Sequence, residues 1–150
     1  MRIGVISDTH GLLRSEALQA LEGSDHILHA GDVGKGPILE TLARIAPVTA
    51  IRGNIDRHGN PSLLPATEAV ELEGRLFYLV HNIGDLDLNP VAAHMNAIVS
   101  GHSHKGSIVW DAGVLYLNPG SAGPRRFKLP ITVASVNVRE DKLEAHLIEL

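Results

Sequence analysis

The chain of 150 residues predicts an α/β fold in which two β-sheets pack face to face with helices outside. Three observations lead there. The first third alternates short aliphatic runs with segments of helical periodicity, the pattern of a parallel sheet joined by right-handed crossovers. The remainder is strand-rich and punctuated by turn residues. Hydrophobic residues make up 44% and aromatics only 3%, so a substantial but aliphatic core is expected.

The elements follow in order. IGVIS (3–7) is short, aliphatic and β-branched, as a buried parallel strand is. A helix is expected over 15–22, with Leu18 and Leu21 on one face and Gly23 as its stop. HILHA (26–30) reads as the second strand. Pro37 opens a second helix in which Ile38, Leu42 and Ile45 keep helical spacing, and Pro47 closes it. VTAIR (48–52) is the third strand. Residues 69–80 read as a hairpin turning near Gly74. Asn89-Pro90 predicts the cap and first position of a short helix to Met95. AIVSG (97–101) is another buried strand, and 107–118 a hairpin turning at Asp111-Ala112-Gly113. The runs 131–138 and 143–150 close the chain as a last hairpin around Arg139-Glu140-Asp141-Lys142.

Composition narrows the function. Thirteen Lys and Arg against 17 Asp and Glu give a formal charge of -4, a poor basis for a nucleic-acid surface, which needs clustered cations. The absence of cysteine excludes disulfides, thiolate metal sites and a cysteine nucleophile. No apolar run is long enough for a membrane span, and the start lacks a secretory apolar region. A single cytoplasmic domain over 1–150 is expected, with no membrane partner. Nine histidines hint at metal chemistry.

The chemistry lies where the aliphatic runs stop. VIS is followed by Asp8-Thr9-His10, HILHA by Gly31-Asp32 and VTAIR by Gly53-Asn54. FYLV is followed by His81-Asn82, and AIVS by Gly101-His102-Ser103-His104. Sites in α/β sheets gather beyond the carboxyl ends of the strands. If these ends lie side by side, seven ligating side chains converge. Asp8/His10 and His102/His104 are spaced to share a face while the chain stays extended. Glycine precedes Asp32, Asn54 and His102, where it permits close approach or a sharp turn. Any one of these residues is readily explained as a turn or cap, Asp32 by an Asx turn and Asn54 by a left-handed position. Five such strand ends in one chain are not. Two carboxylates, four imidazoles and an amide suit Mn, Fe, Zn or Ni, and they outnumber the needs of one ion.

These five blocks, in this order, resemble the signature of the calcineurin-like metallophosphoesterases. Asn118-Pro119-Gly120-Ser121 with Pro124-Arg125 further resembles the small single-domain bacterial and archaeal phosphodiesterase branch, which includes the Vps29-type scaffold. The resemblance implies a four-layer α/β/β/α sandwich of two mixed sheets with a two-metal site at one edge. It gives one ion Asp8, His10, Asp32 and His104, and the other Asp32, Asn54, His81 and His102, with Asp32 as the bridge. It also implies phosphoester hydrolysis, of diesters more than monoesters, by a metal-bridging hydroxide, with Asn54 stabilising the added charge. Manganese is the expected ion, with Zn, Fe, Ni or Mg as alternatives.

Two departures from the family pattern stand out. Where many members carry a histidine that protonates the leaving group, this chain has Ile55, which cannot. The usual His-Gly-His block is His81-Asn82-Ile83-Gly84, so the loop after His81 takes another path.

Arg57 and His58 are candidate substrate contacts beside Asn54, or solvated loop residues. Asp56 either holds a ligand histidine or serves a turn. His26 and His29 sit within a strand, where a core or sheet role is the plainer account, and His94 and His146 have no ligand-like neighbours. Arg125, Arg126 and Lys128 form a basic cluster on a loop that steers an anion or is merely solvated. The leading expectation is a two-metal phosphoesterase acting on a small phosphoester. The alternatives are a Vps29-type binding scaffold and a two-metal hydrolase of an amide or cyclic nucleotide.

Overall fold

The computed structural model describes residues 1–150. Ten strands form two five-stranded mixed sheets. The first contains β1 (Arg2–Ile6), β2 (His26–His29), β3 (Val48–Ala50), β9 (Thr132–Val138) and β10 (Leu143–Glu149), in the order β10-β9-β1-β2-β3. The second contains β4 (Thr67–Leu72), β5 (Arg75–Val80), β6 (Ala97–Val99), β7 (Ser107–Asp111) and β8 (Val114–Asn118), in the order β4-β5-β6-β8-β7. The α/β sandwich expected from the sequence is the one observed.

The crossovers explain the parallel pairs. Helix α1 (Ser15–Leu21) joins β1 to β2 and α2 (Ile38–Leu42) joins β2 to β3, and both strand pairs are parallel. The second half also has a parallel centre, β5-β6-β8, where the sequence placed hairpins on either side of one buried strand without fixing how they pair. The final hairpin does not extend that sheet. β9 returns to pair antiparallel with β1, so the chain's end closes the first sheet.

Strand alternation divides the core. Ile3, Val5, Leu28, Phe77, Leu79, Ala97, Val99, Leu115 and Val136 interdigitate between the sheets. Ile6 and Ile27 point the other way, onto Ala17 and Leu21 of α1 and Leu42 of α2. Gly4 makes that packing possible, because a Cβ there would sit 2.7 Å from Leu21 Cδ2. Burying each such Leu or Ile contributes about 1.5–3 kcal/mol.

The outer face of the second sheet is thinly covered. Val80, Ile98 and Val114 are backed by Leu86 and Met95, from a 3₁₀ turn at Ile83–Asp85 and the turn after it. The helix expected from Asn89 to Met95 is only a turn. Asn89 does cap it, its Oδ1 accepting from the N–H groups of Val91 and Ala92, but too few apolar residues follow to carry a helix further. Similarly, α2 ends at Leu42, and Ile45 packs from the turn beyond it. No helix is long and apolar enough to cross a membrane.

Candidate metal centre

The parallel register carries the strand ends to one edge. Hydrogen bonding continues past the strands: Asp8 N–H donates to the Gly31 carbonyl, His10 N–H to Asp32 and Gly101 N–H to His81. The five blocks therefore meet. They meet, however, by a different route from the one the spacing suggested. Asp8, His10, Asp32, His102 and His104 all have left-handed backbone, with φ between 47° and 70°. The i, i+2 pairs are kinked, not extended. Such backbone costs about 1–3 kcal/mol at a non-glycine residue, and here it aims neighbouring side chains into one space.

The preceding glycines are there for room. A Cβ on Gly31 would fall 2.7 Å from His81 Nδ1, one on Gly101 2.6 Å from Asp8 Oδ2, and one on Gly53 onto the Asp32 carboxylate.

Each carboxylate has one oxygen tied and one free. Asp8 Oδ2 accepts from Ser7 Oγ at 2.7 Å and His102 N–H at 3.1 Å. Its Oδ1 faces Nε2 of His104 at 3.4 Å, His10 at 3.8 Å and His81 at 3.9 Å. Asp32 Oδ1 accepts from Ile55 N–H. Its Oδ2 stands 3.4 Å from His10 Nε2 and 3.3 Å from His81 Nε2. His81 Nδ1 donates to the Ala30 carbonyl at 2.7 Å, which turns Nε2 toward the carboxylates. Asn54 Oδ1 lies 3.1 Å from His81 Nε2 and 3.2 Å from His102 Nδ1. All seven side chains thus converge. Asp8, Asp32, His81 and His104 are buried, His10 is half-buried, and Asn54 and His102 are exposed at the rim.

The electrostatics favour positive charge. The Asp32 and Asp8 carboxylates push His10 up to about 9. Burial works against charging His81, yet the contacts with Asp32 and the Ala30 carbonyl raise it overall. Burial likewise works against ionised Asp32, but His10, His81 and the Ile55 N–H hold it well below the usual carboxylate range. Burial, helped by Arg126, lowers His104.

Asp8 Oδ1, His10 Nε2 and His104 Nδ1 are buried without a hydrogen-bond partner; the close His10 contacts are ion pairs lacking hydrogen-bond alignment. Buried polar atoms are rarely left so. Two overlapping groups, Asp8-His10-His104 and Asp8-Asp32-His81, present their ligand atoms within 4.8 Å of one another. The residues fit divalent ions that accept nitrogen and oxygen donors.

The model of the calcineurin-like phosphoesterase superfamily domain matches residues 1–141. The chain belongs to this superfamily. A probable metallophosphoesterase of Methanocaldococcus jannaschii is 36% identical over 163 residues, spanning 100% of this chain and 82% of its own. The structure of an archaeal phosphodiesterase superposes with a TM-score of 0.81 at 20% identity, covering 99% of this chain and 100% of that one. Vps29 of Entamoeba histolytica, solved with Zn²⁺, superposes with a TM-score of 0.75 at 18% identity, covering 99% of each. These two likenesses are likenesses of fold.

In this calcineurin-like domain, three supports hold the site that the sequence left unassigned. Asp56 is only 4% exposed and touches no ligand histidine. It accepts from the backbone N–H groups of Val33, Gly34 and Gly53, binding the Asp32 loop to the Asn54 loop. Asn118 Nδ2 donates to the Gly101 carbonyl and to Ser103 Oγ, and Ser121 Oγ donates to the Asp8 carbonyl. Behind them, His29 Nε2 meets Thr9 Oγ1 at 3.0 Å. Thr9, a hydroxyl between two acid–base residues, is the one sequence feature that could have pointed to this contact. For Asp56 the turn role expected from the sequence accounts for its Gly53 contact, but its reach to Val33 and Gly34 left no signal, because those partners are backbone.

The remaining candidates are peripheral. Arg57 Nε donates to the Asn54 carbonyl. His58 is exposed and lines a cavity with His10 and Ile55. Arg125 donates within its own loop, to Leu129. His26 bonds Thr49 across β2 and β3, and His94 and His146 lie elsewhere.

Proposed function

We propose that this protein hydrolyses phosphoesters, diesters in preference to monoesters, with two divalent cations, manganese foremost. Asp8, His10, Asp32 and His104 would hold one ion, and Asp32, Asn54, His81 and His102 the other. The observation that carries this reading is the single oxygen Asp32 Oδ2, standing between His10 Nε2 at 3.4 Å and His81 Nε2 at 3.3 Å. That oxygen is where a carboxylate shared by two ions belongs, and Ile55 N–H fixes its partner oxygen so that it points there.

When bound, the ions would lower the pKa of a water between them and offset the charge of the phosphate. Hydrolysis joins the water oxygen to phosphorus, breaks one phosphorus–ester oxygen bond and delivers a proton to the departing alcohol. The chain's own part is to position. Ser7 and His102 N–H hold Asp8, Ala30 orients His81, and the Asn54 amide would meet the developing charge. Ile55 supplies no proton, and its side chain is 41% exposed, which supports a preference for esters with good leaving groups.

A Vps29-type scaffold needs no such donor set, whereas here all seven side chains are present and convergent. The test is metal analysis with turnover of bis(p-nitrophenyl) phosphate and p-nitrophenyl phosphate under Mn, Zn, Fe, Ni and Mg. About two ions per chain with faster diester turnover support the reading. Metal bound without turnover of either ester favours the scaffold.

A further inference from the structure

A cavity of about 350 Å³ opens beside the candidate metal centre, between the loop after β2 and the segment that follows Asp56. Its floor is apolar, made by Val33, Leu39 and Leu64. Its rim carries Glu40 and Asn60. A second cavity of about 400 Å³ reaches from there to His10 and Ile55. The two share Gly34, Lys35 and His58 in their linings, so they adjoin, and a ligand lying across those residues would occupy both as one trench. Gly34, at φ 85°, packs against the His10–Gly11 backbone where no side chain fits, and a Cβ on Gly36 would meet nothing within 4 Å.

We infer that this trench seats a nucleoside, the organic arm of a phosphodiester whose phosphate lies at the His10 end. The reacting end of that substrate rests on the phosphoesterase reading above; the seat itself does not. Small-molecule sites are typically about 300–1,000 Å³, mostly apolar, with a few placed polar groups. A flat ring covers the Val33–Leu39–Leu64 floor. The Asn60 amide offers both a donor and an acceptor to a base edge, and Glu40 accepts from amino or hydroxyl groups. Lys35, in the lining that both cavities share, would offer its ammonium to the phosphate. Glu40 repels a second phosphate at the far end, which selects a diester arm without one. A linear polyol leaves the apolar floor uncovered.

Thymidine is the probe. In the metal-free protein, thymidine is expected to shift the amide resonances of Gly34, Gly36 and Gly59 saturably, and glycerol is not. Asn60→Trp, which fills the rim, should weaken thymidine about tenfold or more, and Glu40→Ala about threefold. Both positions are exposed, and Glu40→Ala removes only surface atoms, so one folded variant is assured of reading the effect. With Mn²⁺, the wild type should favour thymidine 5′-(p-nitrophenyl phosphate) over methyl p-nitrophenyl phosphate by about tenfold in kcat/KM. Either variant should shrink that ratio. Absent thymidine shifts, equal shifts with glycerol, or unchanged affinity in both variants overturn the nucleoside seat, even if both esters turn over. Thymidine binding that the variants weaken, with neither ester hydrolysed, supports the seat and overturns the phosphoesterase reading.

Discussion

Thr9 and His29 are joined beneath the candidate metal centre by a chain of hydrogen bonds with one direction. Gly31 N–H donates to His29 Nδ1 at 3.1 Å, and Thr9 Oγ1 donates to the Val33 carbonyl at 2.7 Å. The 3.0 Å contact between them must then run from His29 Nε2–H to Thr9. The imidazole is neutral, its tautomer is set, and no partner remains for a second proton.

Acid should therefore weaken the fold through His29. Burial drives its pKa down to about 4 from 6.5, so the unfolded chain takes up a proton first. The stabilisation from neutral His29 is complete above pH 6.5 and is lost as pH falls toward 4, on the order of 3 kcal/mol in all. In urea unfolding of metal-free protein, the stability gap between wild type and His29→Gln should shrink across that window. A constant gap would contradict the assignment.

Asp32 should serve both ions. Asp32→Ala is expected to abolish binding of two equivalents of metal, because its Oδ2 faces both His10 and His81. His104→Ala, which faces Asp8 alone, should chiefly weaken one. Two ions still bound per Asp32→Ala chain would show that the bridge lies elsewhere.

Chelation should remove activity and leave the chain folded. The two main apolar clusters include none of the seven ligand residues, unlike a small zinc domain whose core depends on its ion. A cooperative thermal transition should persist, with Tm lowered by about 5–10 °C relative to protein saturated with metal. Its absence after chelation would count against this view.

Asp56 should matter more than its place in a loop suggests. Asp56→Ala leaves three backbone N–H groups without their carboxylate acceptor and is expected to cost on the order of 3 kcal/mol. Asp56→Asn keeps one acceptor oxygen and should cost less. Urea midpoints of the two variants give the comparison, and metal affinity should fall in parallel because both ligand loops loosen.

Leaving-group dependence should be steep. Activated aryl diesters are expected to turn over much faster than alkyl diesters, and Ile55→His to rescue the alkyl esters selectively, by up to about 10²-fold. His58 lines the same cavity as Ile55 and is the competing proton donor. His58→Ala with unchanged metal content and a selective loss on alkyl esters would assign the acid to His58.

The order of strands and helices, the aliphatic core and the residue types at five strand ends were legible in the sequence, because alternation, helical spacing and glycine punctuation are local and repeat within a few residues. The tertiary structure alone decided how they meet. β9 lies beside β1 although more than a hundred residues separate them, and no local pattern encodes that partner. Asp8, His10, His102 and His104 read as extended pairs but are left-handed, since contacts from the opposite sheet, such as His102 N–H on Asp8, overrule the local preference. The Asp56 clasp was hidden because it binds backbone N–H groups, which every residue but proline carries and which a sequence cannot tell apart.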